Sequence, residues 1–470
     1  MKKPALFILS VLLTLSCQNP GTELDLVITN ASIIDLETGT VEEEMLIGIN
    51  ADTIAAIDTM RALEGYESSQ LVDAQGQFAM PGLWDNHVHF RGGDSLIEEN
   101  KNLLPLFLAF GVTTVRDAGG DISRAVLEWR DEIRTGKLVG PNIFSSGPKL
   151  DGPEPAWEGS IPVGTQDDVK EALDSLLRLE VDYVKTYDGS LSPEVYYEII
   201  REAGARGLKV TGHMPLSSDI RKAMQFGLDG IEHLYYFLPA SSTVGDSLRS
   251  LNQGYGALVP LINTYDEVLA KKVMREAAAT GFFTTPTLYI GRVLQELYKQ
   301  DHTSDSLLNY IGPGIIKSYQ GRERSAKNRN PEAQEFYVKM EGVFFEMLMP
   351  AYESGITLLA GSDCGPYNSY VYPGASLHSE LEALVAAGLT PLQALRTSIV
   401  NGPAFFGLEE QYGKVAVGRT ADLILLRENP LERIENTRSL TTVIQGTRVH
   451  HQNEIDDLLQ SLKRKYTEAQ

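Results

Sequence analysis

The sequence predicts an α/β chain: a (β/α)8 barrel of the TIM type, with a small composite β-sandwich formed by its N- and C-terminal segments. Three observations predict it. Through the middle of the chain, eight short apolar runs alternate with amphipathic stretches, the pattern of consecutive βαβ units around a parallel sheet. Strand-like sequence flanks that middle on both sides. The length of 470 residues suits a barrel of ~250 residues plus a satellite domain. With 43% hydrophobic and 22% charged residues, the chain has an ordinary globular composition. A net charge of −22 excludes nucleic acid as the natural partner, because phosphates demand a basic surface.

Taken in order, the chain opens with Lys2 and Lys3, an apolar run from Ala5 to Leu15, then Ser16 and Cys17. A bilayer span needs ~20 apolar residues, so this run is short for a membrane helix and suits the core of a signal peptide. With the polar Gln18-Asn19-Pro20-Gly21 behind it, the segment resembles a bacterial lipoprotein signal. The resemblance implies removal of residues 1–16, a lipid on Cys17 and a tether over 17–24. It also implies an exported chain, periplasmic or at the cell surface, that touches the membrane only through its N-terminal lipid anchor. Cys364 is the other of the two cysteines, so no disulfide framework is expected.

Residues 25–79 carry short β-branched runs such as Leu26–Thr29, Ile33–Asp35 and Met45–Ile49, too short for helices. The runs Ala421–Leu426 and Thr442–Ile444 have the same character, so 25–79 and 406–450 are expected to build one domain. The barrel is expected over 80–405. Its strands fall around Trp84–His89, Val112–Arg116, Asn142–Ser145, Tyr183–Thr186, Lys209–Gly212, Gly230–Glu232, Phe283–Thr285 and Thr357–Ala360. Amphipathic helices such as Val169–Leu179, Pro193–Ala205 and Ser218–Phe226 lie between them. The stretch 288–354 exceeds an ordinary connection and reads as a helical insertion, either a pocket wall or a stabilising excursion. A helical tail is expected over 451–470.

The chain has eight histidines, and four fall at predicted strand ends: His87 and His89 after the first strand, His213 after the fifth and His233 after the sixth. Residues i and i+2 of a strand share a face, so His87 and His89 can grip one ion. Asp363 follows the eighth-strand run, and Lys185 sits inside the apolar fourth-strand run, a costly place for a lone cation. Imidazole and carboxylate suit zinc and related ions. Singly, each residue has an ordinary structural explanation, such as helix capping for the aspartate. Together, at the C-terminal ends of one barrel, they occupy the place where that fold does chemistry.

Pro81-Gly82-Leu83-Trp84-Asp85-Asn86-His87-Val88-His89 resembles the opening motif of the amidohydrolase superfamily. Gly111–Asp117, Gly212–Pro215, Ile231–His233 and Leu359–Asp363 resemble its later strand ends in order, and Asn401–Ala404 and Gly418–Leu423 its C-terminal signature. The resemblance implies a hydrolase with two divalent ions, zinc foremost. His87, His89 and Asp363 would hold the buried ion, His213 and His233 the outer one, and Lys185 would bridge both as a carbamate formed with CO2. A buried lysine has a depressed pKa, and its neutral amine is the form that reacts. Two cations would make a hydroxide available near neutral pH. Asp363 would take the water's proton and deliver it to the leaving nitrogen. Asp85 is a candidate for orienting a ligand.

The similarity is to the Xaa-Pro dipeptidase (prolidase)-like, imidazolonepropionase-related branch, which implies small amide substrates: dipeptides or N-acyl amino acids. A departure stands after the third strand, where that branch often carries Gly-Gly-His and this chain has Gly147-Pro148-Lys149. Candidates to receive a substrate carboxylate are Tyr235, Tyr236 and Arg91. Three other functions compete. A lactonase or esterase could use the same site. A heterocycle deaminase is disfavoured by Met214-Pro215-Leu216 after His213, where deaminases place a glutamate. A non-catalytic ligand-binding lipoprotein is the last. Self-association is left open.

Overall fold

A computed structural model describes residues 21–467. The expected signal segment and Cys17 lie outside the described residues.

The N-terminal strands Thr22–Ile34, Val41–Asn50 and Thr53–Thr59 form an antiparallel meander. The first is long because its buried residues are almost all β-branched or leucine, and it is irregular between Ile28 and Ile33. Along its other edge it pairs in parallel with Tyr66–Asp73 over its first half and with Phe78–Pro81 over its second. Phe78–Pro81 then pairs with Asp422–Leu426, which continues through Leu440–Gln445 to Arg448–His451. The two ends of the chain thus build one composite β domain, as the sequence suggested, and its eight strands are hydrogen-bonded into a single mixed sheet. The branching edge of the first strand is what joins them. Leu26, Ile28, Ile47, Ile49, Leu423, Leu425 and Ile444 form one buried cluster inside it, each worth ~1.5–3 kcal/mol of burial.

The barrel strands are Leu83–Val88, Val112–Asp117, Asn142–Ser145, Val184–Thr186, Val210–Gly212, Gly230–Glu232, Phe283–Thr285 and Thr357–Leu358, all eight where the apolar runs put them. They pair in parallel in three arcs, and a short parallel pair, Leu150–Asp151 and Ile161–Pro162, extends the middle one. Backbone bonds join the arcs: Asp182 N to Ser145 O at 2.9 Å, Asp229 N to Val210 O at 3.2 Å, and Asn86 N to Ala360 O at 2.9 Å. The last closes the ring. Its close approach requires Gly361, where a Cβ would lie 2.6 Å from that of His87. Near the N-terminal ends of the strands, Trp84 stacks on Phe144 at 5.3 Å and Phe144 on Phe406 at 4.4 Å. The chemistry-bearing residues gather at the opposite ends.

Helices pack outside. Thr165 and Asp168 make a reciprocal capping box that starts Gln166–Arg178, whose Val169, Ala172, Leu173 and Leu176 are buried. The expected insertion contains the helices Leu288–Glu296, Pro313–Lys327 and Pro331–Glu353, the last two begun by proline in their first turn. The final helix, Gln452–Thr467, buries Ile455 and Leu462. Among the described residues, no helix is long and apolar enough to cross a membrane.

Candidate metal centre

His87, His89, Lys185, His213, His233 and Asp363 come together at the C-terminal mouth of the barrel, all buried. The Nε2 atoms of His87 and His89 lie 3.3 Å apart, and those of His213 and His233 3.2 Å apart. Asp363 Oδ1 stands 3.5 Å from His87 Nε2 and 3.3 Å from His89 Nε2, and its Oδ2 stands 4.0 Å from His233 Nε2. Asp363 thus sits between the two histidine pairs.

The far side of each ring explains the geometry. His87 Nδ1 meets Glu232 Oε2 at 2.7 Å, and His89 Nδ1 meets the Gly119 carbonyl at 2.9 Å. His213 Nδ1 meets Asp188 Oδ1 at 3.2 Å. His233 Nδ1 meets Thr287 Oγ1 at 2.6 Å, and that hydroxyl donates its own proton to Pro286 O, so its oxygen accepts. Each Nδ1 therefore carries the proton, and each Nε2 turns a lone pair inward. Burial keeps all four rings below the ordinary histidine pKa, with Lys185 adding to the effect at His87 and His213. Four converging lone pairs beside a carboxylate repel one another unless a cation lies between them. His87, His89 and Asp363 offer ligand atoms within 4.8 Å of one another.

Lys185 Nζ is buried without a hydrogen-bond partner, and the nearest carboxylate oxygen, Glu232 Oε1, is 4.0 Å away. Burial pushes this amine down to about 8, against the pull of Glu232. Burial alone would raise Glu232, but Arg116, Lys185 and His87 hold it well below the usual carboxylate range. Arg116 Nη2 reaches both Glu232 oxygens at 2.9 Å, and Thr211 Oγ1 donates to Oε1. Burial likewise opposes ionisation of Asp363, yet His87, His233, Arg91 and Lys185 keep it below its ordinary value. Asn368 Nδ2 donates to Asp363 Oδ1 at 2.7 Å, leaving Oδ2 the freer oxygen. Three non-glycine residues here have left-handed backbones: His233 at φ 65°, Thr287 at φ 51° and Asp363 at φ 57°. Such strain, ~1–3 kcal/mol each, gathers where the surroundings must aim a side chain.

Beside this cluster opens a cavity of about 360 Å³. His89, His213, His233, Lys185 and Asp363 line one part. Arg91, Lys149 and Arg322 line another, and Leu258, Ile290, Leu294, Met340 and Phe344 supply an apolar wall, all but Leu258 from the helical insertion. Of the expected carboxylate contacts, Arg91 lines the cavity and Tyr235 stacks on His233 at 5.4 Å. Tyr236 does not line it: its hydroxyl donates to Asp188 Oδ2 at 3.0 Å, so it braces the residue that holds His213. Asp85 accepts from the Ser362 amide at 2.8 Å and hydroxyl at 2.5 Å, pinning the eighth strand to the first rather than touching a histidine ring.

Sequence reasoning missed Glu232, Arg116, Asp188 and Thr287. The first two had a legible signal, since opposite charges inside two apolar strand runs must meet to be buried. Asp188 and Thr287 follow their strands and gave none.

A parallel barrel with converging imidazoles and a carboxylate at its C-terminal mouth has a candidate metal site where this fold does its chemistry. A sequence model described as "Amidohydrolase family" matches residues 78–449, and the chain belongs to that family. It is 24% identical over 429 residues to ochratoxinase of Aspergillus niger, covering 78% of this chain and 74% of that one. Among solved structures it resembles bottromycin amidohydrolase with a TM-score of 0.73 at 22% identity, covering 93% of this chain and 90% of that one. It also resembles a Xaa-Pro dipeptidase solved with bound methionine, with a TM-score of 0.67 at 18% identity, covering 91% of this chain and 99% of that one.

Proposed function

We propose that this enzyme is a binuclear metal hydrolase that cleaves an amide C–N bond of a small molecule, a dipeptide or N-acyl amino acid. The observation that carries it is the convergence of four unprotonated Nε2 atoms, three of them within 4.0 Å of Asp363, beside the unpartnered amine of Lys185. The donor set fits divalent ions, zinc foremost: His87, His89 and Asp363 would hold one, His213 and His233 the other, and Lys185, once carbamylated by CO2, would supply a further anionic ligand. When bound, such ions acidify water and polarise a carbonyl.

The chain's own residues do the rest. Glu232, Gly119, Asp188 and Thr287 fix the tautomer and aim of each imidazole. Carbamylation replaces a buried cation with an anion, for which a buried amine pushed down to about 8 is prepared. Asp363, anionic at neutral pH, accepts a proton on Oδ2 and returns it to the leaving nitrogen while Asn368 steadies Oδ1. The apolar wall holds bulk water away. The names of the similar proteins, an ochratoxinase, an amidohydrolase and a Xaa-Pro dipeptidase, agree with amide cleavage. A library of dipeptides and N-acyl amino acids, screened against enzyme of measured metal content, tests the proposal. The expected result is amide hydrolysis with about two ions per chain. Full activity with one ion overturns the binuclear site, and no amide turnover overturns the function.

We further propose that the enzyme works outside the cytoplasm on a lipid anchor at Cys17, supported by Lys2, Lys3 and the short apolar run before that cysteine. Replacing Cys17 with Ala should move the protein from the membrane to the soluble fraction. A mature protein that retains Met1 in the cytosol overturns this.

A further inference from the structure

The connection after the third barrel strand carries Trp157, and two cavities meet at its ring. One is the cavity of about 360 Å³ that holds the histidines. The other, of about 170 Å³, lies toward the surface, where Ala156, Glu158 and Tyr367 are exposed. Trp157, Arg91 and Lys149 line both. The second cavity touches none of the histidines and none of the apolar wall of Ile290, Leu294, Met340 and Phe344. The three shared side chains are therefore a partition at one end of the reaction cavity, and the half-buried indole is its broadest member.

Four neighbours hold the indole. Arg91 lies over its ring at 4.5 Å and Lys149 at 5.3 Å, cations drawn to an aromatic face. Tyr187 meets it edge-on at 6.4 Å and accepts from its N–H, and Tyr367 packs at 5.8 Å. These holders are themselves fixed. Arg91 donates to Pro366 O at 2.8 Å and Asn368 Oδ1 at 3.0 Å, and Tyr187 stacks on His213 at 4.4 Å. The loop is pinned too. Asp151 Oδ2 accepts from the Ala156 amide at 2.9 Å, and its Oδ1 accepts from the amides of Gly152 and Ser190 at 2.7 and 3.1 Å. Beyond the indole, Gly159 is left-handed at φ 75°, and a Cβ there would lie 2.4 Å from Asp121 Cα. A ring tied this way through its face, its N–H and the chain on both sides is a wall rather than a gate.

We propose that Trp157 is a specificity-determining residue: it closes the reaction cavity at one end and so limits the length of the amide this enzyme takes. A cavity of about 360 Å³ stands near the lower bound of ligand pockets, which run to ~300–1,000 Å³. A substrate that fills it has no room past the indole, although a further 170 Å³ lies directly behind. Because the apolar wall does not reach that second space, only one end of a substrate meets Trp157. Removing the ring joins the two cavities and lengthens the site at that end alone. One ill-fitting methylene group is already worth ~10–200-fold in kcat/KM, so a wall as broad as an indole sorts substrates by length. The assignment rests on the hydrolase function proposed above.

The test uses the full-length, metal-loaded enzyme and three substrates with one amide each. They are N-benzoylglycine, N-benzoyl-6-aminohexanoic acid, which is longer on the amine side, and N-(6-phenylhexanoyl)glycine, which is longer on the acyl side. The wild type should disfavour one of the long substrates at least ~10-fold in kcat/KM against the short one. Trp157→Ala should raise that long-to-short ratio at least ~10-fold and leave the ratio for the other long substrate where it was. Trp157→Phe, which keeps a ring in place, should raise it less. Calorimetry with the same three compounds carrying a methylene in place of the carbonyl reads the ratios without hydrolysis. A crystal structure of Trp157→Ala should show the two cavities joined. Unchanged ratios in Trp157→Ala, or equal gains for both long substrates, overturn the wall and spare the hydrolase. Joined cavities and altered binding ratios, with no hydrolysis of any of the amides, overturn the hydrolase and spare the wall. Side chains found closing the gap in Trp157→Ala overturn the wall whatever the kinetics.

Discussion

Asp363 divides its work between two oxygens, one steadied by Asn368 and facing His87 and His89, the other turned toward His233. Asp363→Asn keeps the shape and a coordinating oxygen but cannot accept a proton. This variant should fold, keep much of its metal and hydrolyse an amide at least ~10²-fold more slowly. The loss should be smaller for an activated ester, whose leaving group needs no proton, and comparing both substrates on metal-quantified protein checks it. Lys185→Ala tests the proposed carbamate: most metal and activity should go, with partial return in millimolar short carboxylic acids. If acetate restores nothing while metal content stays normal, Lys185 is no bridge. The aspartate, the lysine and the four histidines were legible because each follows or lies within a strand run, and the barrel rule sends strand ends to one mouth. Their supports were harder to see. Period-two alternation puts Glu232 and His233 on opposite faces, and it is the left-handed backbone at His233 that returns both to one site.

At the scale of elements, the seventh strand and the helix after it show how packing aims a ligand. Glu380, fully buried on the helix Ala375–Ala386, accepts from the amides of Leu288 and Tyr289, the first two residues of Leu288–Glu296, at 3.0 and 2.7 Å. It caps that helix from outside, satisfying orphan amides that the helix leaves unpaired. The residue just before, Thr287, is β-branched and left-handed, and it holds His233. Glu380→Ala strands one buried and one part-buried amide and should cost ~2 kcal/mol of stability. It should also weaken metal at His213 and His233 more than at His87 and His89, a difference that competitive chelation of the two sites can read. Equal weakening would confine Glu380 to general stability. The strands were legible because fully buried parallel strands are apolar throughout. The insertion was legible as helices but not as a wall, since Ile290, Leu294, Met340 and Phe344 meet only after Leu288–Glu296 packs against Pro331–Glu353. Nor could residue order show that one edge of Thr22–Ile34 would be shared between two partners.

For the molecule as a whole, two responses to acid oppose each other. The chain carries −22 at neutral pH and has an isoelectric point near 4.8, so mild acid relieves self-repulsion, a weak and screened gain. Against this stand five buried histidines whose folded pKa values lie below their unfolded ones. They are the four of the metal centre and His378, which burial and Arg438 hold down to about 3. His378 bonds Phe110 O at 2.9 Å and Thr437 Oγ1 at 2.8 Å, tying the barrel to the C-terminal segment. Below pH ~6.5 the unfolded chain binds protons at these positions that the folded chain refuses. Their contribution to stability is therefore whole above that pH and is lost as pH falls beneath it. One unit of depression is worth ~1.4 kcal/mol, but Asp85, Asp117, Asp188, Glu380 and Asp422 are buried with carboxyls raised to between about 6 and about 8, and their protonation in the fold opposes the loss at the histidines. Between pH 7 and pH 5 the melting temperature of metal-free His378→Gln should move upward relative to that of the metal-free wild type, because the variant has lost one group that refuses a proton in the fold. Bound metal should also protect, since it competes with protons for the other four rings. The same pH dependence in both proteins would mean that His378 is not held neutral in the fold.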